Sequence, residues 1–477
     1  MNAFGKNLFL ALCGAAVLAS CTVGKKYQRQ DLNMPAQYRE KGTAVTADSV
    51  LLPWRSFFGD KTLLDLIDKA LKKNNDVNVA MLTMQQTELN YKQAKLGLTP
   101  TLDLNVAANR TYLSTNSLNG SLSDQFLGTP YLDDYSATFR LSWEADIWGK
   151  AKMQKAGTLA NYFAQKENLS ALKTRLIVQV AQAYYNLLTL DEQLKVAEKN
   201  VILGDSTLNM IRLQYESAIV SSLGVDQAEA QKKTAELLVP LAKQNIAVQE
   251  NALSILCGEF PDSVVRTGNL AKALPEEVFP EGVPANLLSR RPDVKAAEFM
   301  VMSANASTGL SKAAMYPSIS LTPSIGANSF KFNSWFDLPG SLVKTVGANL
   351  TQPIFQKKTL KTAYEVARLE QEKAAVQFRQ SVLTAVGEVS DALARSKHAD
   401  ERLQLVDEKK TALTKATKDA LLLYKNGMAN YLDVITAQNN ALQNQLEAID
   451  IKREKLYAVT DLYRALGGGV ENGAAPQ

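Results

Sequence analysis

From position 176 to 215 the chain sets a mostly apolar or small residue at alternating steps of four and three without a slip. The series runs Leu176, Val180, Ala183, Leu187, Leu190, Leu194, Ala197, Val201, Gly204, Leu208, Ile211, Tyr215. A period of 3.5 held that long means helices that wind around one another left-handedly in coiled-coil packing. The pattern resumes at Val225, Ala228, Lys232, Ala235, Val239, Ala242, Ile246, Gln249, Leu253 and Leu256. It returns at Val434, Ala437, Ala441, Asn444, Ala448, Ile451, Lys455, Ala458 and Leu462. Alanine-rich seams let helices approach closely. One helix over about 149–217 would be roughly 100 Å long at 1.5 Å per residue. A compact domain has no use for that length, so the chain is built to span something.

The design is written twice. Leu71, Asp76, Val77, Ala80, Lys95, Pro100 and Leu104 return as Leu288, Asp293, Val294, Ala297, Lys312, Pro317 and Leu321, all at an offset of 217. The offset falls to 207 at Ile147-Trp148 and Ile354-Phe355, and stands at 209 between Tyr215 and Tyr424. The change places an extra loop in the first copy, between 110 and 134. A first repeat at 62–260 and a second at 288–466 are expected, joined by a Pro-rich linker at 261–287. Each copy reads as helix, two strands, very long helix, turn, long helix. Strands are expected at about 101–110, 134–147, 318–328 and 341–352, and long helices at about 149–217, 225–257, 354–424 and 432–466. A flexible tail follows at 467–477.

The strands show period two. Tyr135, Ala137, Phe139, Leu141, Trp143, Ala145 and Ile147 alternate with Asp134, Ser136, Thr138, Arg140, Ser142, Glu144 and Asp146. Segments of about ten residues, apolar on one side and polar on the other, suit a transmembrane β-barrel with a wet lumen, and equally a half-buried soluble sheet. The long helices favour the barrel. Four strands cannot close one, and open edges are not tolerated in lipid, so subunits must pool strands. Two chains would give eight strands and a filled interior; three give twelve and room for water. The fold expected is therefore a mixed α and β membrane protein, a homotrimer with a 12-stranded barrel continued by a coiled-coil α-barrel. Arg140, Glu144 and Asn105 are expected to face the lumen, with Leu141 and Trp143 on the shielded side.

The N-terminus opens MNAFGKNLFLALCGAAVLASC. Lys6 precedes an apolar run too short to span a bilayer, which suits a signal peptide over 1–20. Leu18-Ala19-Ser20-Cys21 resembles a lipobox, making Cys21 the acylated first residue of an extended segment at 21–61. Of three cysteines, Cys13 leaves with the signal, so Cys257 has no disulfide partner. The single histidine, His398, sits on a charged helical stretch. With no phosphate-binding loop, metal spacing or His–Cys pair, an enzyme is not expected, nor any cofactor or metal. A net charge of +5 makes no case for nucleic acid.

Several stretches together resemble one family: CTVGKKY, WRSFFGDKTLLDLIDKALKKNNDV, LSWEADIWGK, RRPDVKAAE, AAMYPSISLT and LTQPIFQKKTL. They are similar to NodT-type outer-membrane efflux lipoproteins of the TolC/OprM class, over about 21–466. The resemblance implies an outer-membrane channel, reaching into the periplasm of a Gram-negative cell and lipid-anchored there. It would conduct small molecules outward from an inner-membrane efflux pump, of the RND type, through a periplasmic adaptor. It also implies that YESAIVSSLGV and YKNGMANYLDV are turns at the periplasmic end of the helical barrel. Ser217, Ala218, Ile219, Val220, Ser221 and Ser222, with Asn426, Gly427, Met428, Ala429 and Asn430, would then dock the adaptor. Leu432, Asp433 and Thr436 would lie at the gate. Thr436 stands where an aspartate is frequent, and Gly224 stands opposite Asp433 in the first copy. Leu432 and Asp433 can equally be plain helix-start residues, Asp being favoured near a helix N-terminus. Two other readings stand beside small-molecule efflux: an outlet for protein secretion, and a non-conducting coiled-coil surface protein.

Overall fold

The computed structural model describes residues 23–29, 31–35, 38–39, 53–114, 116–270, 273 and 290–469. The signal segment, Cys21, most of the Pro-rich linker and the end of the tail lie outside the described residues. The chain forms two compact units. The first is bounded at Met1–Gln30, Gln85–Phe163 and Glu298–Val376, the second at Asp31–Met84, Ala164–Ala297 and Gln377–Gln477.

The first unit is built on strands β1 (Thr101–Tyr112), β2 (Tyr131–Ala145), β3 (Ser318–Leu321), β4 (Ser324–Ser329), β5 (Leu342–Thr345) and β6 (Ala348–Thr351). All pairings are antiparallel. β2 carries β1 on one side, and on the other carries β4 and β3 end to end. Those two in turn carry β5 and β6. The six segments thus lie in four lanes. The second-copy strands expected as continuous are each broken in two. The third lane breaks at Thr322-Pro323, where proline has no N–H to give a ladder. The fourth breaks at Val346-Gly347. Leu141 N–H donates to Pro323 O at 2.9 Å and Thr322 N–H to Gly347 O at 2.8 Å, so the interrupted lanes stay stitched together. The extra first-copy segment contains a helix, Leu118–Leu127, where a loop was expected.

The second unit is helical. Short helices Trp54–Phe57 and Lys61–Lys73 follow later in the chain than the N-terminal strap, residues 23–29. Asp60 caps the second of them, accepting from Thr62 N–H at 2.8 Å, and also accepts from Tyr184 OH at 2.8 Å. Phe57 stacks on Tyr463 with ring centroids 4.1 Å apart, inside a core that includes Trp54, Leu63, Ile67, Leu187 and Leu253.

In chain order the described α-helices are α1 (Trp54–Phe57), α2 (Lys61–Lys73), α3 (Asn75–Lys95), α4 (Leu118–Leu127), α5 (Lys150–Glu216), α6 (Ser222–Leu256), α7 (Pro292–Ala313), α8 (Thr359–Lys425) and α9 (Tyr431–Ala465). Helices α5 and α8 each have 67 residues, about 100 Å at 1.5 Å per residue. The periodic positions form their seams: Leu176, Val180, Ala183, Leu187, Leu190, Ala197, Leu208 and Ile211 of α5 are buried. So are Ala228, Ala235, Ala242, Ile246 and Leu253 of α6, and Val434, Asn444, Ile451, Ala458 and Leu462 of α9. Helix α8 starts later than position 354, because Lys357 and Lys358 adopt φ of 50° and 63° and hold the chain in a turn. Among the described residues no helix is long and apolar enough to cross a membrane.

Candidate functional site

Two surfaces carry the chemistry. On the sheet, register sorts side chains by face, since neighbours directly across a ladder point the same way. Leu102 faces Leu141, Leu104 faces Phe139, and Val106 faces Ala137. Phe139 continues to Ile325 and Trp143 to Leu321. One face is therefore apolar across the lanes, and exposed: Leu102 is 66% and Leu350 70% accessible. The other face pairs Asp103 with Arg140, Asn105 with Thr138, Ser136 with Asn328 and Glu144 with Ser320. Arg140 and Leu141 thus lie on opposite sides, as do Glu144 and Trp143. Lys344 is an exception, since it lies on the apolar side opposite Ile325. Aromatics mark the band's limits. Trp143 donates its indole N–H to Leu98 O at 2.9 Å at one end. At the other, Tyr135 meets Trp335 and Phe332 with centroids 5.7 and 5.5 Å apart, and Tyr112 meets Tyr131 at 5.8 Å. A strand of twelve residues at about 3.3 Å each, tilted as barrel strands are, rises roughly 30 Å, the thickness of a bilayer's hydrocarbon core.

The second surface is the pair of turns. After α5, Ala218 takes φ +56°, Ala218 N–H donates to Tyr215 O at 2.9 Å, and Ile219 N–H to Gln214 O at 2.8 Å. After α8, Gly427 takes φ +72°, donates to Tyr424 O at 3.0 Å, and Met428 N–H reaches Leu423 O at 2.9 Å. Both are helix stops of one type, with a left-handed residue and the same two backbone bonds. The next helices start at Ser221 and Asn430, their N-caps. The caps differ. Asn430 Oδ1 accepts from Asp433 N–H and Asp433 Oδ2 from Asn430 N–H, both at 3.0 Å, which is a reciprocal capping box. Ser221 makes no side-chain cap bond, and Gly224 has no carboxylate to return one.

Of the gate candidates, Leu432 is 57% exposed, Thr436 is exposed, and the Asp433 carboxylate is engaged at the cap. Among docking candidates, Ile219 and Met428 present exposed apolar side chains. The two turns are brought together: Leu208, Ile211, Ala228, Tyr424, Tyr431 and Val434 form one buried cluster, and Tyr424 OH donates to Gln214. Burial pushes the Tyr431 hydroxyl up to about 12, with Tyr424 adding to it.

Sequence reasoning missed a polar ladder along α5. Asn186, Gln193, Asn200, Thr207 and Gln214 recur every seven residues. Gln193 donates to Asp450 at 3.1 Å, Gln438 to Thr207 at 3.3 Å, and Arg453 to Asn186 at 3.5 Å. Asn200 instead turns back to Val196 O at 2.8 Å. The heptad of amides and hydroxyls beside the apolar seam was the available signal.

Against known proteins, the model of the family described as outer membrane efflux protein matches residues 66–259 and 283–468. The chain belongs to the outer membrane efflux protein family. It is 26% identical over 464 residues to the cation efflux system protein CusC of Escherichia coli strain K12, covering 96% of this chain and 99% of that one. It is 29% identical over 472 residues to the toluene efflux pump outer membrane protein TtgI of Pseudomonas putida, covering 96% and 98%. Among solved structures it is similar to the open-state MtrE outer membrane channel of Neisseria gonorrhoeae, with 27% identity, a TM-score of 0.83, and coverage of 96% and 100%. This efflux protein is thus an outer-membrane channel component, and its face-sorted sheet is the part suited to the bilayer.

Proposed function

We propose that three copies of this chain pool their four lanes into a twelve-stranded barrel, passing small molecules outward from an inner-membrane pump, of the RND type, through a periplasmic adaptor. One observation carries the reading: a sheet with one exposed apolar face and one polar face whose outer lanes, β1 and β5–β6, have no ladder partner on their outer edges among the described residues. Unsatisfied backbone groups in hydrocarbon cost several kcal/mol each, so such edges demand partners. Relatives named for cations and for toluene share the scaffold, which supports a duct whose cargo is chosen by the pump. The matching stops at Ala218 and Gly427 support an internal duplication, with Ser217–Ser222 and Asn426–Asn430 meeting the adaptor. Cys21 is read as the acylated anchor.

Leu432 is read as the apolar ring of the gate, since three leucines near an axis close a narrow pore by dewetting. Asp433 and Thr436 flank it. Single-channel recording in planar bilayers tests this. Leu432→Ser is expected to raise resting conductance, and an unchanged conductance removes that residue from the gate. Asp433→Ala lowers cation preference if its charge acts on the pore. Asp433→Ser, which keeps a cap acceptor without the charge, separates that effect from loss of the capping box.

A further inference from the structure

The apolar face has a notch. Where the third lane breaks at Thr322-Pro323 and the fourth at Val346-Gly347, the lost ladder leaves a groove of about 300 Å³. Pro100, Leu141, Trp143, Leu321, Pro323 and Val346 line it, together with Gly347, which contributes no side chain. The six side chains share the parity of the apolar face. Pinning of the Trp143 indole by Leu98 O fixes one wall.

The N-terminal strap runs along α7 and reaches Trp148. Glu298, buried on α7, accepts from Arg29 Nε at 2.6 Å and Nη2 at 2.5 Å, and from Tyr27 OH at 3.2 Å. Asn305 donates to Lys25 O at 2.9 Å. Gly24 lies against Met153 and Gly309, close enough that a Cβ on Gly309 would sit 3.2 Å from Gly24 Cα. Val23 N–H donates to Trp148 O at 3.4 Å, and the Trp148 indole donates to Pro317 O at 2.6 Å. From Pro317 the third lane climbs four residues to Leu321, about 13 Å at strand rise. Cys21 is two residues before Val23, so covalent geometry keeps it within about 7 Å of that residue. An acyl chain extends across about half of a ~30 Å hydrocarbon core, roughly 15 Å.

We infer that this groove is a binding site for an acyl chain carried by Cys21, so that the chain's own lipid fills the notch left by the two lane breaks. The inference rests on the lipoprotein reading of Cys21. The strap fixes where the lipid emerges, and the groove takes hydrocarbon that would otherwise mix with the membrane.

The test uses the full-length protein in cells fed a diazirine-bearing palmitate analogue, irradiated, purified, digested and analysed by mass spectrometry. Acylated Cys21 peptides cross-linked to the Leu141–Trp143 or Leu321–Pro323 region are expected. Val346→Arg should cut that yield roughly tenfold, the equivalent of about two methylenes displaced, with acylation of Cys21 unchanged. Three results overturn the inference. Cross-links from Cys21 spread evenly over Leu102, Leu104 and Phe139 would do so, and so would groove adducts with free phospholipid alone; both leave the lipoprotein reading intact. A mature chain without acylated Cys21 removes that reading and the inference together.

Discussion

Gly427 and Ala218 hold the same place in the two turns, yet only one of them is glycine. A left-handed φ costs a residue with a Cβ roughly 1 kcal/mol, so Gly427→Ala should destabilise by about that amount, and Ala218→Gly should be neutral or stabilising. Thermal unfolding of the two variants checks the asymmetry; equal shifts of the same sign would contradict it. Cys257 gives a second residue-scale expectation. It is buried, with Sγ 3.7 Å from Leu66 O, and burial pushes its thiol up to about 11, against its usual 9.0. The folded state binds this proton more tightly than the unfolded chain does. Its contribution is therefore fully present below pH 9 and is lost as pH rises toward 11. Alkylation of folded protein should stay slow at pH 8 and accelerate only toward pH 11, whereas unfolded protein reacts at pH 8 to 9. Rapid labelling of the folded protein at pH 8 would show the thiol to be accessible.

At the scale of elements, the long helices meet through two chemistries side by side, a dry seam and a polar ladder. Thr207 and Gln438 are both buried, so removing one partner strands the other. Thr207→Val should cost about 1–3 kcal/mol, and adding Gln438→Leu should recover most of it, because replacing both partners by apolar groups can be nearly neutral. Denaturant midpoints for the singles and the double close that cycle. Asn444 is the less comfortable case: its amide donates to Val406 O at 3.3 Å, while Oδ1 is buried without a partner among the described residues. The seams were legible because 3.5-residue spacing is a local property of sequence, and the sheet's faces because alternation is one too. The lane breaks were not read, although Pro323 stood in the sequence, since alternation continues through a proline that ends a ladder. The capping box at Asn430 and Asp433 was half legible, as an acidic helix start. The short helix at Leu118–Leu127 left only a length difference between the copies. The strap's clasp on Glu298 joins residues some 270 positions apart in sequence, and no local pattern announces such a pairing.

For the whole molecule, the unpaired outer edges of the sheet require copies to associate, and the polar face, which needs a wet lumen, sets their number. Native mass spectrometry of detergent-purified protein should give three chains, and a stable monomer keeping all its strands would defeat the pooled barrel. The lanes also settle which arrangements are open to the edges. Successive lanes alternate in direction, so with four of them the two outer edges run opposite ways, and in the proposed barrel β1 of one copy would meet β5–β6 of the next antiparallel. That condition is met equally by two, three or four copies. Hydrogen bonding at the seam therefore carries no arithmetic: it makes closure possible without fixing how many subunits close. The count comes instead from the room for water that twelve strands leave inside, and from the lateral fit of the helical hairpins. Mutations that alter ring size should accordingly cluster on the helix faces that meet the neighbouring copy rather than along the strand edges.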